Sequence, residues 1–159
     1  MQGSYYIFEY VCQLDVERSR KSGVTEQDYS DMPEAFSNVS AESLGGYMKA
    51  QFHYWSEDEI ACNFRKMLTL EQYKSPEMNA LYQKVLVSGP MDYIENLFRE
   101  MSKKQEKQLP SPHVLAVEFS SPFFLLLSMS DGVECTETKE EIAKNYECYI
   151  DDFFQKYFS

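Results

Sequence analysis

Apolar positions along this chain repeat at the three-to-four-residue spacing of an α-helix, and sustained strand alternation is almost absent. The pattern predicts an all-α fold of six helices in a single domain. The first helix is predicted over residues 5–21, with its stripe beginning at Tyr6 and Gly23 just past its end. Residues 24–39 are acidic and poor in pattern, so they are predicted to form a loop around Pro33.

Two capping serines predict the starts of the second and third helices. Ser40 stands before the second helix, but Ser43 occupies the place where a capping box has Glu or Gln, so the box is predicted to be incomplete. Ser56, followed by three acids, is predicted to cap the third helix. The two apolar stripes comprise Leu44, Tyr47, Met48, Gln51, Phe52 and Trp55, and then Ile60, Phe64, Met67 and Leu68.

A long fourth helix is predicted to begin at Ser75-Pro76-Glu77, which combines a cap, a proline at the first helical position and an acid. Its apolar stripe continues to Met101. Gly89-Pro90 interrupts the segment, but the stripe resumes in helical register, so one kinked helix is predicted.

The last two helices differ in character. Residues 113–129 are apolar nearly all round, and a helix without a polar face needs cover on every side. A domain of this size is short of such cover, which suggests a partner chain. Residues 138–158 carry a wide apolar stripe on an acidic helix, as is typical of packing against a second helix.

Charge and composition exclude several classes of protein. The chain has 15 Lys and Arg against 26 Asp and Glu, a formal net charge of −11, which disfavours direct binding of nucleic acid. The aromatic content of 15% argues against disorder, and the longest strongly apolar run, Phe123–Leu127, is too short to predict a membrane span. The four cysteines show no CxxC spacing, and only two histidines are present to complete a metal site with them, so no metal and no cofactor are predicted. A reducing, cytoplasmic location with free thiols is also predicted.

No motif of nucleophilic, metal-dependent or nucleotide-dependent catalysis is present, so the chain is not predicted to be an enzyme. His53 is interpreted either as a hydrogen-bonding or proton-sensing group in a pocket, or as an ordinary half-buried helix residue. The aromatic and methionine side chains of four segments suit a small-molecule cavity and equally suit an ordinary helical core.

Three stretches of the sequence resemble a known family. They are Asn63–Tyr73 (NFRKMLTLEQY) with the following Ser75–Met78, Gly89–Ile94 (GPMDYI), and Leu115–Leu126 (LAVEFSSPFFLL). Their order and spacing resemble the C-terminal regulatory domain of TetR-family transcriptional regulators, and the likeness extends over most of residues 5–158.

The resemblance implies a domain that binds a small effector and dimerises, with residues 5–21 as the connector helix to a DNA-binding head. Residues 113–158 would supply two helices to a four-helix bundle across a homodimer axis. No helix-turn-helix precedes residue 5, so DNA binding is expected only through a domain that this chain lacks.

The predicted effector is small and mainly apolar, and no membrane partner is predicted. The residues predicted to bind it are Gln51, His53, Trp55, Phe64, Met67, Tyr82, Tyr93, Phe119 and Phe123. The residues predicted at the dimer interface are Pro122, Leu125, Leu126, Ile142, Tyr146, Tyr149, Ile150 and Phe153. The alternative is an acidic helical protein-interaction module without an effector.

Overall fold

The structure of the chain is a computed structural model that describes residues 39–159. These residues form helices throughout and contain no strand, which confirms the all-α class. The helices are α1 (Ala41–Glu57), α2 (Glu59–Glu71), α3 (Pro76–Tyr82), a π-helical turn (Gln83–Val87), α4 (Ser88–Ser102), α5 (Pro112–Asp131) and α6 (Thr136–Phe158). The predicted connector helix over residues 5–21 and all but the last residue of the predicted loop over residues 24–39 lie outside the described residues.

The start of α1 corrects the prediction of an incomplete capping box. The Ser40 hydroxyl accepts a hydrogen bond from the backbone N–H of Ser43 at 3.0 Å, and the Ser43 hydroxyl accepts one from the backbone N–H of Ser40 at 3.0 Å. A serine hydroxyl therefore does here what the carboxylate or amide of Glu or Gln usually does.

The predicted N-cap of the next helix, Ser56, is wrong. Helix α1 continues to Glu57, and Asp58 caps α2 by accepting a hydrogen bond from the backbone N–H of Ala61 at 2.9 Å. Ser56 lies within the last turn of α1 and donates to the carbonyl oxygen of Phe52 at 2.7 Å. Both residue types are good caps, so the sequence alone does not choose between them.

One continuous helical segment runs from Pro76 to Ser102, as the apolar register predicts. Its start is also as predicted, because the Ser75 hydroxyl accepts from the backbone N–H of Met78 at 3.2 Å. The irregularity is a π turn at Gln83–Val87, where Val87 leaves the helical region (φ −123°, ψ −81°). This turn directly precedes Gly89-Pro90, so the helix adapts to proline by widening locally.

The core is a layer of aromatic rings between α6 and the helices packed on it. Phe153 of α6 lies 5.5 Å from Phe98 of α4 and 4.8 Å from Phe119 of α5, measured between ring centroids. Helix α1 approaches α6 at Gly45, where a Cβ atom would lie 3.3 Å from side-chain atoms of both Ile150 and Phe154. The absent side chain at position 45 therefore sets the spacing of these two helices.

Helix α5 is buried on one face and exposed on the other, although nearly all its residues are apolar. Leu115, Ala116, Phe119 and Leu127 are buried, whereas Leu125 is 63% exposed. The helix is 20 residues long, and its length and mean hydropathy are sufficient for a helix that crosses a membrane. The uninterrupted apolar runs within it are shorter than such a span. Core helices of globular proteins meet the same two criteria, and six residues of α5 are buried.

Substitution of Gly89 is expected to destabilise the fold. A Cβ atom at this position would overlap the carbonyl oxygen of Lys84 across the π turn, so Gly89→Ala should lower the free energy of unfolding by about 2 kcal/mol or more. The matched control is Gly46→Ala in α1, where a Cβ atom meets nothing within 4 Å. That change should raise the free energy of unfolding by about 0.5–1 kcal/mol, and urea denaturation measures both. Equal effects of the two substitutions would contradict this account of the π turn.

Candidate functional site

Two of the residues predicted to contact an effector are core residues. Phe64 and Phe119 are buried, and the Phe119 ring packs edge-on against Phe98 at 5.2 Å. Both side chains fill the space between helices instead of lining an open one. The helical period placed them correctly on the inner face but could not distinguish a packed core from a pocket.

The other predicted effector contacts are half-buried and lie on several helices. Gln51 and Trp55 share one face of α1, where the indole N–H donates to the Gln51 side-chain oxygen at 3.1 Å. Phe123 of α5 touches Phe52 and Tyr146. The remaining members of the set are Met67 on α2, Tyr82 on α3 and Tyr93 on α4.

An open depression of about 640 Å³ lies at the corner between α2 and α3. None of the predicted effector contacts lines it. Its walls are Gln72, Tyr73, Lys74, Ser75, Pro76, Asn79 and Ala80. The helix-start signal at Ser75-Pro76 marks this corner in the sequence, but nothing in the sequence indicates a surface depression there.

Four of the residues predicted at a dimer interface are instead buried inside the chain. Ile142, Tyr146, Ile150 and Phe153 form the inner stripe of α6 and pack on α1, α4 and α5. The stripe is a packing surface, as predicted, but the helices it packs on belong to the same chain. Side chains already buried in this way are not available to a second copy.

The other four predicted interface residues reach the surface to different degrees. Leu125 is exposed, and Pro122, Leu126 and Tyr149 are half-buried. The Tyr149 hydroxyl donates to the carbonyl oxygen of Glu118, so this ring joins α6 to α5, and burial raises its pKa to about 12.

His53 bridges α1 and α6 through both ring nitrogens. Its Nδ1 lies 2.7 Å from Glu57 Oε1 on the same helix, and its Nε2 lies 2.9 Å from Glu147 Oε1 on α6. Only the imidazolium ion donates at both nitrogens, so this geometry favours the charged ring. The hydrogen bonds to Glu147 and then Glu57 raise the pKa of His53 above its usual value. His53 is thus a half-buried helix residue that holds two helices together.

Arg65 forms the most enclosed ion pair among the described residues. The guanidinium, 9% exposed, donates to both carboxylate oxygens of Asp131 at 2.7 Å, and its Nε donates to the carbonyl oxygen of Trp55 at 3.3 Å. Burial alone would raise the pKa of Asp131, but hydrogen bonds and charge from Arg65 outweigh it and lower that pKa. The pair fastens the C-terminal end of α5 to α2 and the end of α1.

A second polar cluster, which the sequence did not indicate, joins α5 to α6. The Glu118 carboxylate accepts hydrogen bonds from the Tyr157 hydroxyl at 2.7 Å and the Lys156 ammonium at 3.0 Å. Burial opposes ionisation of Glu118, yet these hydrogen bonds lower its pKa. Glu118 thereby neutralises a cation and holds the two helices in register.

Each of the three polar clusters, around His53, Arg65 and Glu118, connects different helices. Within residues 39–159, no group of three or more His, Cys, Asp or Glu side chains is arranged to hold a metal ion. The paired charges connect helices, and the Cys62 thiol lies beside the Arg65–Asp131 pair, with its Sγ 3.6 Å from Nη2 of Arg65. The arrangement is that of structural links between helices.

Comparisons of the chain with protein-family models, with curated proteins and with solved structures give no match. The resemblance to TetR-family regulators therefore depends on the order and spacing of the quoted motifs alone, and it stays a prediction.

The loss of stability on removing the His53 bridge is expected to depend on pH. The folded-state pKa of His53 is raised above the unfolded value of 6.5, so its stabilisation is fully present below pH 6.5 and is lost as the pH rises through the folded pKa. Because the ring is 40% exposed, His53→Gln should cost about 0.5–1 kcal/mol of unfolding free energy at pH 5.5 and less at pH 9. Denaturation of both proteins at the two pH values measures this, and a cost that grows with pH would contradict the charged bridge.

Removal of the carboxylate of Asp131 is expected to cost more than removal of a surface charge. Asp131→Asn leaves the enclosed Arg65 guanidinium without its anion, so the free energy of unfolding should fall by about 2–3 kcal/mol. The control is Glu100→Gln, which breaks an exposed pair with Lys103 and should change stability by about 0.5 kcal/mol or less. Similar losses in the two variants, measured by urea denaturation, would contradict the enclosed pair.

Proposed function

We propose that this chain is the effector-binding and dimerisation domain of a TetR-type transcriptional regulator. Homodimerisation through α5 is the part of this function for which the geometry offers the strongest support. DNA binding would belong to a domain outside these residues. The proposal draws on the motif resemblance and on one surface, the outward stripe of α5.

The outward stripe of α5 consists of Val114, Val117, Ser121 and Leu125. All four are exposed, and they follow one another at intervals of three or four residues on one helix face. Small and branched side chains at this spacing allow two helices to approach closely. An exposed, mainly apolar stripe along several turns of a helix is typical of an interface.

The charges of α5 and α6 favour a second copy that meets this stripe with its own. A two-fold axis brings each surface against itself, so an acidic face would meet an identical acidic face. The exposed positions of α6 carry more acids than bases, whereas the outward stripe of α5 carries no charge. The exposed charged residues of α6 are Glu137, Glu140, Glu141, Asp151 and Asp152, against Lys139, Lys144 and Lys156. An axis that crosses α5 therefore avoids repulsion between like charges.

Effector binding is proposed to involve the half-buried rings between α1 and α5. Phe64 and Phe119 are packed in the core, so an effector would have to displace a side chain that can move outward. Phe123 and Trp55 are half-buried and meet this requirement. Because α1 also packs on α6, an effector that prefers one packing of α1 would shift the whole helix.

The alternative function is a protein-interaction module without an effector. It is favoured by Leu70 and Tyr73 at the corner of α2 and α3, which are 71% and 85% exposed. Such side chains often mark a contact surface, and Tyr73 lines the open depression. In this alternative the α2–α3 corner binds the partner, and α5 does not form a symmetric dimer.

Placement of an acid in the outward stripe should break the dimer. Leu125→Glu introduces two like charges near the two-fold axis, so the dimer dissociation constant should rise about 100-fold or more, because desolvating unpaired charges costs several kcal/mol. The matched control is Leu70→Glu, an equally exposed leucine of α2, which should leave the dimer intact. Sedimentation equilibrium measures both.

A monomeric wild-type chain at micromolar concentration would overturn the dimer proposal. Loss of the dimer in Leu70→Glu but not in Leu125→Glu would favour the α2–α3 corner as the contact surface instead.

A further inference from the structure

Tyr146 carries a buried polar atom that the fold leaves unsatisfied. The side chain is 0% exposed, and its hydroxyl oxygen has no hydrogen-bond partner among the described residues. A buried hydroxyl without a partner costs free energy, so natural cores rarely keep one without a reason. The sequence placed Tyr146 at a dimer interface, and this role is not available to a buried side chain.

The surroundings of Tyr146 are aromatic. Its ring stacks on Phe52 of α1 at 4.6 Å, with an angle of 20° between the ring planes, and it meets the edge of Phe123 of α5 at 5.6 Å. Phe123 also lies edge-on to Phe52 at 5.8 Å. Three helices thus contribute one ring each to a cluster that contains a single hydroxyl.

Phe123 is the member of this cluster that reaches the surface. Phe52 and Tyr146 are fully buried, whereas Phe123 is half-buried. Rotation of the Phe123 side chain toward solvent would leave a space of one aromatic ring against Tyr146 and Phe52. One turn earlier on α5, the buried Ser120 hydroxyl also has no partner among the described residues. Of the three buried hydroxyls without a partner among the described residues, Ser120 and Tyr146 therefore lie on the two helices that border this space, and the third, Ser102, lies at the end of α4.

We propose that the space occupied by the Phe123 ring is a ligand site between α1, α5 and α6, in which Tyr146 donates a hydrogen bond to a single-ring aromatic molecule that carries a carbonyl or similar acceptor. This inference rests on the proposed effector-binding function and gives it a location and a ligand class. The bound ring stacks in place of Phe123, and its acceptor oxygen accepts a hydrogen bond from the Tyr146 hydroxyl, which has no other partner among the described residues.

The protonation state of Tyr146 determines which polar group the ligand needs. Burial raises the pKa of this phenol far above its ordinary value, so the hydroxyl keeps its proton at every physiological pH. A neutral phenol in an apolar setting gains most from a neutral acceptor. An anionic ligand would bring an unpaired charge into a cluster of rings and is excluded on that ground.

The test compares two probes of nearly equal shape, acetophenone and ethylbenzene, of which only acetophenone has an acceptor. Their affinities are measured by ligand-observed NMR titration of the full chain and of Tyr146→Phe. The lost hydrogen bond should weaken acetophenone about fivefold and leave ethylbenzene within about twofold. Tyr73→Phe, which removes an exposed hydroxyl at the α2–α3 corner, is the control and should change neither affinity.

Two further variants report on the location and on the unsatisfied hydroxyl. Phe123→Ala vacates the site and should tighten acetophenone binding several-fold, because the ligand no longer displaces a ring. Phe123→Leu serves the same purpose if the alanine variant does not fold. Without ligand, Tyr146→Phe should keep or raise the melting temperature, since it removes an unpaired polar group.

The inference is overturned if acetophenone binds neither protein, binds both equally, or binds Phe123→Ala no better than the wild type. A lower melting temperature of unliganded Tyr146→Phe would also overturn it, because the hydroxyl would then already have a partner such as an internal water. Sedimentation of the same samples separates the two proposals. If the chain is a dimer that does not bind acetophenone, the ligand site is overturned and the dimer proposal is supported. If the chain is a monomer that binds acetophenone, the dimer proposal is overturned and the ligand site is supported.

Discussion

The inner stripe of α6 is the surface on which the other helices pack. Tyr146 stacks on Phe52 of α1, and Phe153 meets rings of both α4 and α5. Burial of each large aromatic side chain contributes about 2–3 kcal/mol, so these contacts outweigh any single polar link. Helix α1 comes close to this surface because Gly45 has no side chain. The positions of the remaining groups follow from this packing.

The polar links fix the order of helices that the aromatic contacts bring together. His53 joins α1 to α6, Arg65 joins α2 to α5, and Glu118 joins α5 to α6. Each link crosses between helices at the border of the aromatic layer, where partial burial strengthens hydrogen bonds to charged groups. Since apolar packing is weakly directional, such links select one register among several similar ones.

The two faces of α5 are buried to different extents. One face supplies Phe119 and Leu127 to the core, and the opposite face presents Leu125 to solvent. The excess of acids on the exterior of α6 is less suited to a symmetric contact than this uncharged face of α5. The ring of Tyr146, whose hydroxyl has no partner among the described residues, contacts α5 at Phe123, away from the outward stripe. Dimerisation and ligand uptake would therefore use opposite faces of one helix, so a ligand that moves Phe123 could alter the dimer.

The sequence by itself determined the all-α class, the starts at Ser40 and Ser75, the continuous helix through Gly89-Pro90, and the inner face of α6, because these depend on local periodicity and capping. It missed the Ser43 cap and chose Ser56 over Asp58, since several polar residues can cap a helix equally well. Only the tertiary structure decided that Tyr146 and Phe153 pack within their own chain and that Phe119 belongs to the core. A helical period shows that a face is buried, but the identity of the covering surface depends on contacts between residues far apart in sequence.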